Sequence, residues 1–306
     1  MGALILFLTT FIWGTAFLAQ KIGAESLGPF AMTCFRNVLG GGFLLLLILF
    51  RNRKKENSAT LPSSLLPLPS LFAGVWCGVP LCAAMLAQQV GVEYTAPGIS
   101  AFLTTNYMFF IPVIGIVLSR KFPRWHIWLG IALALFGTYL ICMTGESMRI
   151  GKGESWTILC ALLFAIQMLV VDRYSKKCDV LVMSMAQLFT CAVLCAPFLF
   201  LPSELAKLHT FSFFTFTSYF PVIYCGVFSS GIAYTLQNFG QARTSAAVAG
   251  VVLSTESVFG ALSGYIVLGD RMTAAQFIGC ALVFFAAVFT QIYDIIFRKR
   301  KETDHA

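Results

Sequence analysis

Charge is what this sequence has least of. Only 11% of its 306 residues are Asp, Glu, Lys or Arg, against about 25% in a soluble domain. A water-soluble fold of this size could not cover its surface with so few charges, which excludes a soluble enzyme or binding domain. Acids are the scarcer sign, 13 against 21 basic residues. Histidine is scarcer still: His126, His209 and His305 lie far apart, and no H-E-x-x-H zinc motif occurs. The ten cysteines include no C-x-x-C pair, so no zinc ribbon or redox motif is encoded. Cys191 and Cys195, one helical turn apart in an apolar run, read as packing thiols. There is no G-x-S-x-G elbow. The stretch TGESMRIGKGES falls short of a phosphate loop, with Glu146 where the first glycine belongs and Gly153 where Ser or Thr belongs. No nucleophile, base and orienting group occur together. The expectation is therefore a protein that is not an enzyme and uses no cofactor and no metal. Long polar stretches are missing too. The longest connector, RNRKKENSATLPSS, is too short for a separate soluble domain.

Apolar residues fill the space that charge leaves. The chain is 58% hydrophobic with 30 Phe, and its mean hydropathy is +0.83. Such a composition excludes a disordered chain. A helix crosses the hydrocarbon of a bilayer with about 20 apolar residues. Ten runs qualify, near 3–20, 29–50, 66–90, 96–118, 125–144, 155–171, 180–201, 216–238, 245–268 and 273–296. The first is apolar from residue 2, lacks a basic leader and is followed closely by the next, so it reads as a membrane span rather than a cleaved signal. The fold class expected is all-α integral membrane, with ten transmembrane helices.

The basic residues are sorted by side. With the N-terminus inside, the cytoplasmic connections hold Arg51, Arg53, Lys54, Lys55, Arg120, Lys121, Arg124, Arg173, Lys176, Lys177, Arg243, Arg298, Lys299, Arg300 and Lys301. The outer ones hold Lys21, Arg149, Lys152, Lys207 and Arg271. This asymmetry is the positive-inside pattern, and it puts both termini in the cytoplasm. It also explains the net charge of +8 without a nucleic-acid partner.

The two halves align on each other. At an offset of 149 residues, Gln88 falls on Gln237, Gly91 on Gly240, Thr95 on Thr244, Tyr107 on Glu256 and Gly130 on Gly279. Near the start of each half the offset is about 151, pairing Trp13 with Phe164 and Arg36 with Gln187. Five spans per half is an odd number, so the second half enters from the opposite side. The expected domains are two inverted-topology five-helix repeats, 1–149 and 150–301, with a cytoplasmic tail at 302–306. Inverted repeats are typical of secondary transporters, whose substrate site lies near the midplane between them.

Candidate site residues are the polar groups these spans keep. Glu256 is the only charged residue from Ala246 to Leu268. It sits roughly 18 Å along span nine by helical rise, and an acid there costs roughly 2.5–3.5 kcal/mol on insertion scales. It could bind a proton or cation in a transport cavity, or clamp a neighbouring helix. Gly260 and Gly264 follow on one face, and Gly250, Ser254, Ser257, Ala261 and Gly264 form a small-residue stripe, suited to close packing or to leaving a cavity. Tyr107, beside Asn106, Thr105 and Thr104, could line a cavity or join helices. Trp13, with Gly14, lies deep in span one, as a ligand wall or as packing. Arg36 lies deep in span two; it could hold an anionic group such as a carboxylate, or pair with helix-end carbonyls or Glu256. Gln88 and Gln237, with Asn238, fall nearer span ends. Trp125, Trp128 and Trp156 belong at the interfaces.

The chain resembles the drug/metabolite transporter superfamily, in particular its ten-helix EamA-type members. The resemblance rests on FIWGTAFLAQK, on the basic residue in AMTCFRNVLGG, on TAPGISAFLTTNYMFFIPV and TSAAVAGVVLSTESVFGALSGYIVLGDRMT, and on GCALVFFAAVF. Members commonly carry an acid, small residues and a Gly-acid-base turn, which map onto Glu256, Gly260 to Gly264, and Gly269, Asp270 and Arg271. The chain departs in having Ser257 where Pro is frequent, and Arg120 and Lys121 where the first half would carry Gly-acid. The resemblance implies a 5+5 helix bundle around a central cavity, with proton- or exchange-coupled movement of small metabolites, often amino acids exported from bacteria.

The combined expectation is an inner-membrane exporter or exchanger of small metabolites such as amino acids. Its partners would be a small-molecule substrate and the lipid bilayer, with a homodimer left open. Two rivals stand: a polyspecific drug or cation exporter of the same fold, and a membrane sensor or scaffold that moves nothing.

Overall fold

The structure is a computed structural model, and it describes residues 2–56, 66–95, 97–120, 122–142, 151–211, 215–263, 265–266 and 272–303. Outside the described residues lie most of the longest connector, Lys121, most of the TGESMRIGKGES stretch with Arg149, Gly264 of the small stripe, and the Gly269–Asp270–Arg271 turn. The expected boundary at 149/150 also lies there.

Every regular element among the described residues is a helix. In chain order they are α1 (Gly2–Ser26), α2 (Pro29–Glu56), α3 (Leu68–Tyr94), α4 (Pro97–Thr105), α5 (Tyr107–Ser119), α6 (Trp125–Cys142), α7 (Lys152–Tyr174), α8 (Val180–Cys195), α9 (Pro202–Thr210), α10 (Phe216–Ile223), α11 (Tyr234–Gln241), α12 (Ala246–Leu253), α13 (Glu256–Ser263) and α14 (Ala274–Thr303). A 3-10 turn, Ala196–Phe200, extends α8, and a π-helical segment, Tyr224–Ala233, joins α10 to α11. Ten helical stretches are long and apolar enough to cross a membrane. Four departures from the sequence reading stand out. The fourth and ninth spans are each broken in two, the eighth contains the π segment, α9 occupies a connector read as a loop, and α14 absorbs the start of the expected tail.

The outer face of the bundle is apolar, and many polar side chains lie inside it beside an apolar core. Phe50 is 66% exposed, Trp76 63% and Val117 75%, while Thr10, Asn37, Gln167 and Gln187 are fully buried. Hydrocarbon cannot hydrogen-bond, so the helices satisfy their own backbones and turn polar side chains inward.

Glycines let the helices approach. A Cβ on Gly40 of α2 would lie 2.7 Å from the Gly226 carbonyl oxygen and 2.9 Å from the Gly231 nitrogen, both in the π segment. A Cβ on Gly14 of α1 would lie 2.7 Å from the Glu256 carbonyl oxygen and the Gly260 nitrogen. The same holds between α6 and α14, where Gly137 and Gly279 face one another.

Charges tie the ends. At one end the buried Glu204 of α9 accepts the N–H groups of Ala31 (3.0 Å) and Phe30 (3.4 Å), capping α2. Nearby, Lys207 pairs with Glu93 at 3.0 Å and Lys21 donates to the Val92 carbonyl at 2.8 Å. At the other end Asp179 caps α8 through Leu181 and Val182 N–H and pairs with Arg51 at 2.8 Å. Burial pushes the Asp179 carboxyl up, but the Arg51 guanidinium and the two N–H donors outweigh it and hold it below the usual carboxylate range.

Candidate functional site

The site begins at two interrupted helices. α4 stops at Thr105 and α5 starts at Tyr107; α12 stops at Leu253 and α13 starts at Glu256. Neither break contains Pro or Gly. Short polar side chains bond back to the preceding turn instead. Thr105 donates to Phe102 O (2.8 Å), and the Asn106 amide to Phe102 O (3.0 Å) and Leu103 O (3.1 Å). In the second break Ser254 donates to Val251 O (2.7 Å), and Thr255 to Val252 O (2.8 Å). Such bonds compete with the helical ladder and loosen it.

Each break therefore puts a candidate side chain at a new helix N-terminus, Tyr107 in one case and Glu256 in the other. These are the two residues that the sequence offset superposes, and they touch. Tyr107 Oη donates to Glu256 Oε1 at 3.3 Å across 149 residues of chain. Both are 3% exposed. Gly14 lets α1 run against the backbone that carries Glu256.

Around this pair lies a central cavity. From α1 it is lined by Trp13, Phe17 and Gln20, from α2 by Arg36 and from α3 by Gln88. α7 adds Phe164 and Met168, and α11 adds Tyr234 and Gln237. Its free room is about 30 Å³, counted as the space a water centre can reach, enough for about two waters. That is less room than a metabolite needs. The Trp13 indole N–H donates to Ser229 O at 3.2 Å, and its ring lies 4.8 Å from that of Tyr234. Gln237 donates to Gln167 at 3.4 Å. The amide oxygens of Gln20 and Gln237 are buried without a protein partner.

Six of the seven residues singled out from sequence line this one cavity: Trp13, Arg36, Gln88, Tyr107, Gln237 and Glu256. Asn106 does not. Its amide is consumed by the carbonyls of its own broken helix, so it shapes the break rather than the chamber. Arg36 departs from its expected pairings, bonding neither Glu256 nor a helix-end carbonyl. Its Nε donates to Ser230 Oγ at 3.0 Å and its Nη2 to Ser229 Oγ at 2.8 Å. Trp13 lines the cavity and also packs, with its ring against Tyr234 and its N–H on Ser229 O. The small stripe packs: Gly250 lies against Met108 and Ile111 of α5, and Ser257 against Thr138 of α6. Sequence reasoning placed Thr104 in the polar patch beside Tyr107 but missed Gln20, Ser229 and Tyr234. Gln20 stands at the end of the first apolar run, next to Lys21, and so did not stand out; Tyr234 carried no signal.

Among the described residues no group of three or more His, Cys, Asp or Glu is arranged to hold a metal ion. Cys82 and Cys195 lie with sulfurs 3.5 Å apart, buried between α3 and α8.

The family model of the EamA-like transporter family matches the chain twice, over residues 1–143 and 151–292. An uncharacterized transporter of Archaeoglobus fulgidus is 26% identical over 286 residues, covering 93% of this chain and 84% of its own length. The uncharacterized inner membrane transporter YedA of Escherichia coli (strain K12) is 24% identical over 300 residues, covering 95% and 91%. A chloroplastic WAT1-related protein of Arabidopsis thaliana is 23% identical over 297 residues, covering 90% and 66%. A solved crystal structure shares the fold with a TM-score of 0.75 at 18% identity, over 97% of this chain and 98% of its own.

Proposed function

This chain belongs to the EamA-like transporter family, and from that premise we propose that it is a secondary transporter working by alternating access. In this reading it exports or exchanges small metabolites such as amino acids across a bacterial inner membrane. The observation that carries the reading is the buried central cavity, walled by helices from both halves of the chain. A chamber shared by two halves opens to one side or the other when the halves rock.

We read the halves as inverted-topology repeats. Residues related by a two-fold axis touch only where they lie beside that axis, and Tyr107 and Glu256 behave as such a pair. Trp13 with Phe164 and Gln88 with Gln237 are further offset pairs that share the cavity. In this reading Arg51 and Asp179 lie at the cytoplasmic end, and Glu204, Lys207 and Glu93 at the outer end. Glu256 is the coupling group, binding a proton or the cationic part of a substrate, and Tyr107 orients it. Trp13 walls the substrate; Gln88 and Gln237 offer amides to its polar groups. A proton gradient or substrate exchange drives the cycle.

One observation favours a second reading, a polyspecific exporter of lipophilic cations. The acid stands among the aromatic rings of Trp13, Phe17, Phe164 and Tyr234, a setting that attracts cations.

Counterflow in proteoliposomes tests the proposal. Vesicles would be loaded with amino acids, nucleosides or cationic dyes, and uptake of the labelled form followed. Transport of amino acids supports the first reading and of dyes alone the second. If no pool moves, the transporter assignment fails for this chain.

A further inference from the structure

One charge in the cavity wall has no counter-charge. Arg36 is 3% exposed and lines the chamber. Its two recorded acceptors, the hydroxyls of Ser229 and Ser230, are neutral and themselves buried. Glu256, the other charged group in the wall, is engaged by Tyr107 instead. The ion pairs recorded among the described residues are Arg51–Asp179, Lys176–Asp172 and Lys207–Glu93; Arg36 is in none. A buried cation without a partner anion is strongly disfavoured, and in a membrane interior such residues mark substrate or ion pathways. A guanidinium also carries more N–H donors than two hydroxyls take up.

The surroundings hold this arginine in place. The neighbouring serines lie within the π segment Tyr224–Ala233. In an α-helix consecutive side chains diverge by about 100°; the wider π turn separates them less, and here both hydroxyls reach one guanidinium. Gly40 lies one helical turn beyond Arg36 on the same face. Its lack of a side chain lets α2 meet the backbone of the π segment at Gly226 and Gly231. The Trp13 indole fixes the same segment from the other side through Ser229 O. π segments occur frequently at functional sites.

We propose that Arg36, set by Ser229 and Ser230, is an anion-binding subsite of the cavity, and that the substrates of this chain carry a carboxylate that docks there. The proposal rests on the transporter reading and adds the chemical class of the cargo. A carboxylate matches the planar fork of a guanidinium. An inorganic anion such as chloride offers the same charge, so the test separates the two sources.

The test uses full-length protein in proteoliposomes, and in detergent for binding. Labelled amino-acid counterflow would be competed with unlabelled amino acids, with the corresponding amines lacking the carboxylate, and with the corresponding amides. Each run would be made in chloride and again in sulfate. Competition by the carboxylates alone, unchanged by removing chloride, is expected. Arg36→Gln should lose about tenfold to a hundredfold in apparent affinity, the range for a charged hydrogen bond. Because Arg36→Gln could fail to fold, Ser229→Ala alone is the second variant; Ser230 Oγ still accepts from the guanidinium, so a several-fold rise in KM with only a modest fall in Tm is expected. Carboxylate-free amines competing as well as amino acids would overturn the proposal, as would a strict chloride requirement with no carboxylate preference. A rise in Tm with carboxylates but not amides, lost in Arg36→Gln, would uphold the subsite even if no pool moved and the transporter reading fell.

Discussion

The two halves of this chain match one family model and are equipped differently. α2 begins at Pro29 and α8 at Val180, the 151-residue offset. α8 is capped by its own neighbour, Asp179, whereas α2 is capped by Glu204, borrowed from α9 of the other half. Along α2 the helix carries Arg36 to the cavity. Its counterpart Gln187 on α8 is fully buried away from the cavity, accepting from Asn238 at 3.1 Å. At the helix breaks the order reverses: the second half supplies the acid, Glu256, and the first supplies a phenol, Tyr107. Each half contributes one charge to a shared chamber, and its counterpart position holds a neutral group. In the proposed transport cycle the two halves would be the moving parts, and the differences between offset-related positions would supply the chemistry.

The sharpest way to break this arrangement is at Gly14, where the first half touches the helix carrying Glu256. Gly14→Val drives side-chain carbon into backbone that has nowhere to go. Overpacking costs about 1–3 kcal/mol or more, so Tm should fall steeply and transport should vanish. The glycine contact between α6 and α14 lies away from the cavity, so Gly137→Ala should lower Tm while leaving the substrate preference of the folded fraction unchanged.

The two caps should differ in worth. Glu204→Ala strands buried N–H groups that met a charged acceptor, a loss of about 1.5–3 kcal/mol. Asp179→Ala removes a part-exposed cap, worth about 1 kcal/mol. The Asp179 carboxyl is held below its ordinary pKa, so its stabilisation is present above about pH 4 and is lost as pH falls through the folded value. Thermal melts of wild type and Asp179→Ala should therefore separate at pH 7 and converge in acid.

The smallest effects should distinguish Tyr107 from its neighbour. Tyr107→Phe removes one hydrogen bond to Glu256, about 0.5–1.5 kcal/mol, read as a loss of several-fold in transport rate. Asn106→Ala, two bonds to its own helix, should leave substrate affinity unchanged.

Much of the bundle was legible because length and hydropathy are local properties. Ten apolar runs became ten spans, and Glu256 announced itself as a lone charge. The repeat offset also paired Glu256 with Tyr107, though that the two touch came only with the structure. What was hidden depends on competition for backbone carbonyls. TTN and STES read as polar residues within a helix, yet Thr105, Asn106, Ser254 and Thr255 pull carbonyls away and break it. The π segment carries no pattern that sets it apart from an apolar α-helix. Arg36 showed its depth in sequence but not its partners, because Ser229 and Ser230 lie 193 and 194 residues away. α9 was readable in part, since Pro202 and Glu204 occupy its first turn, but it is too short and too polar to register among the apolar runs.

The most direct test of the account is efflux from proteoliposomes with and without a pH gradient, in wild type and Glu256→Gln. The account predicts that a gradient accelerates wild-type efflux, and that Glu256→Gln loses the acceleration while still exchanging labelled for unlabelled substrate. If Glu256→Gln responds to the gradient as wild type does, Glu256 is a clamp between helices and the coupling lies elsewhere.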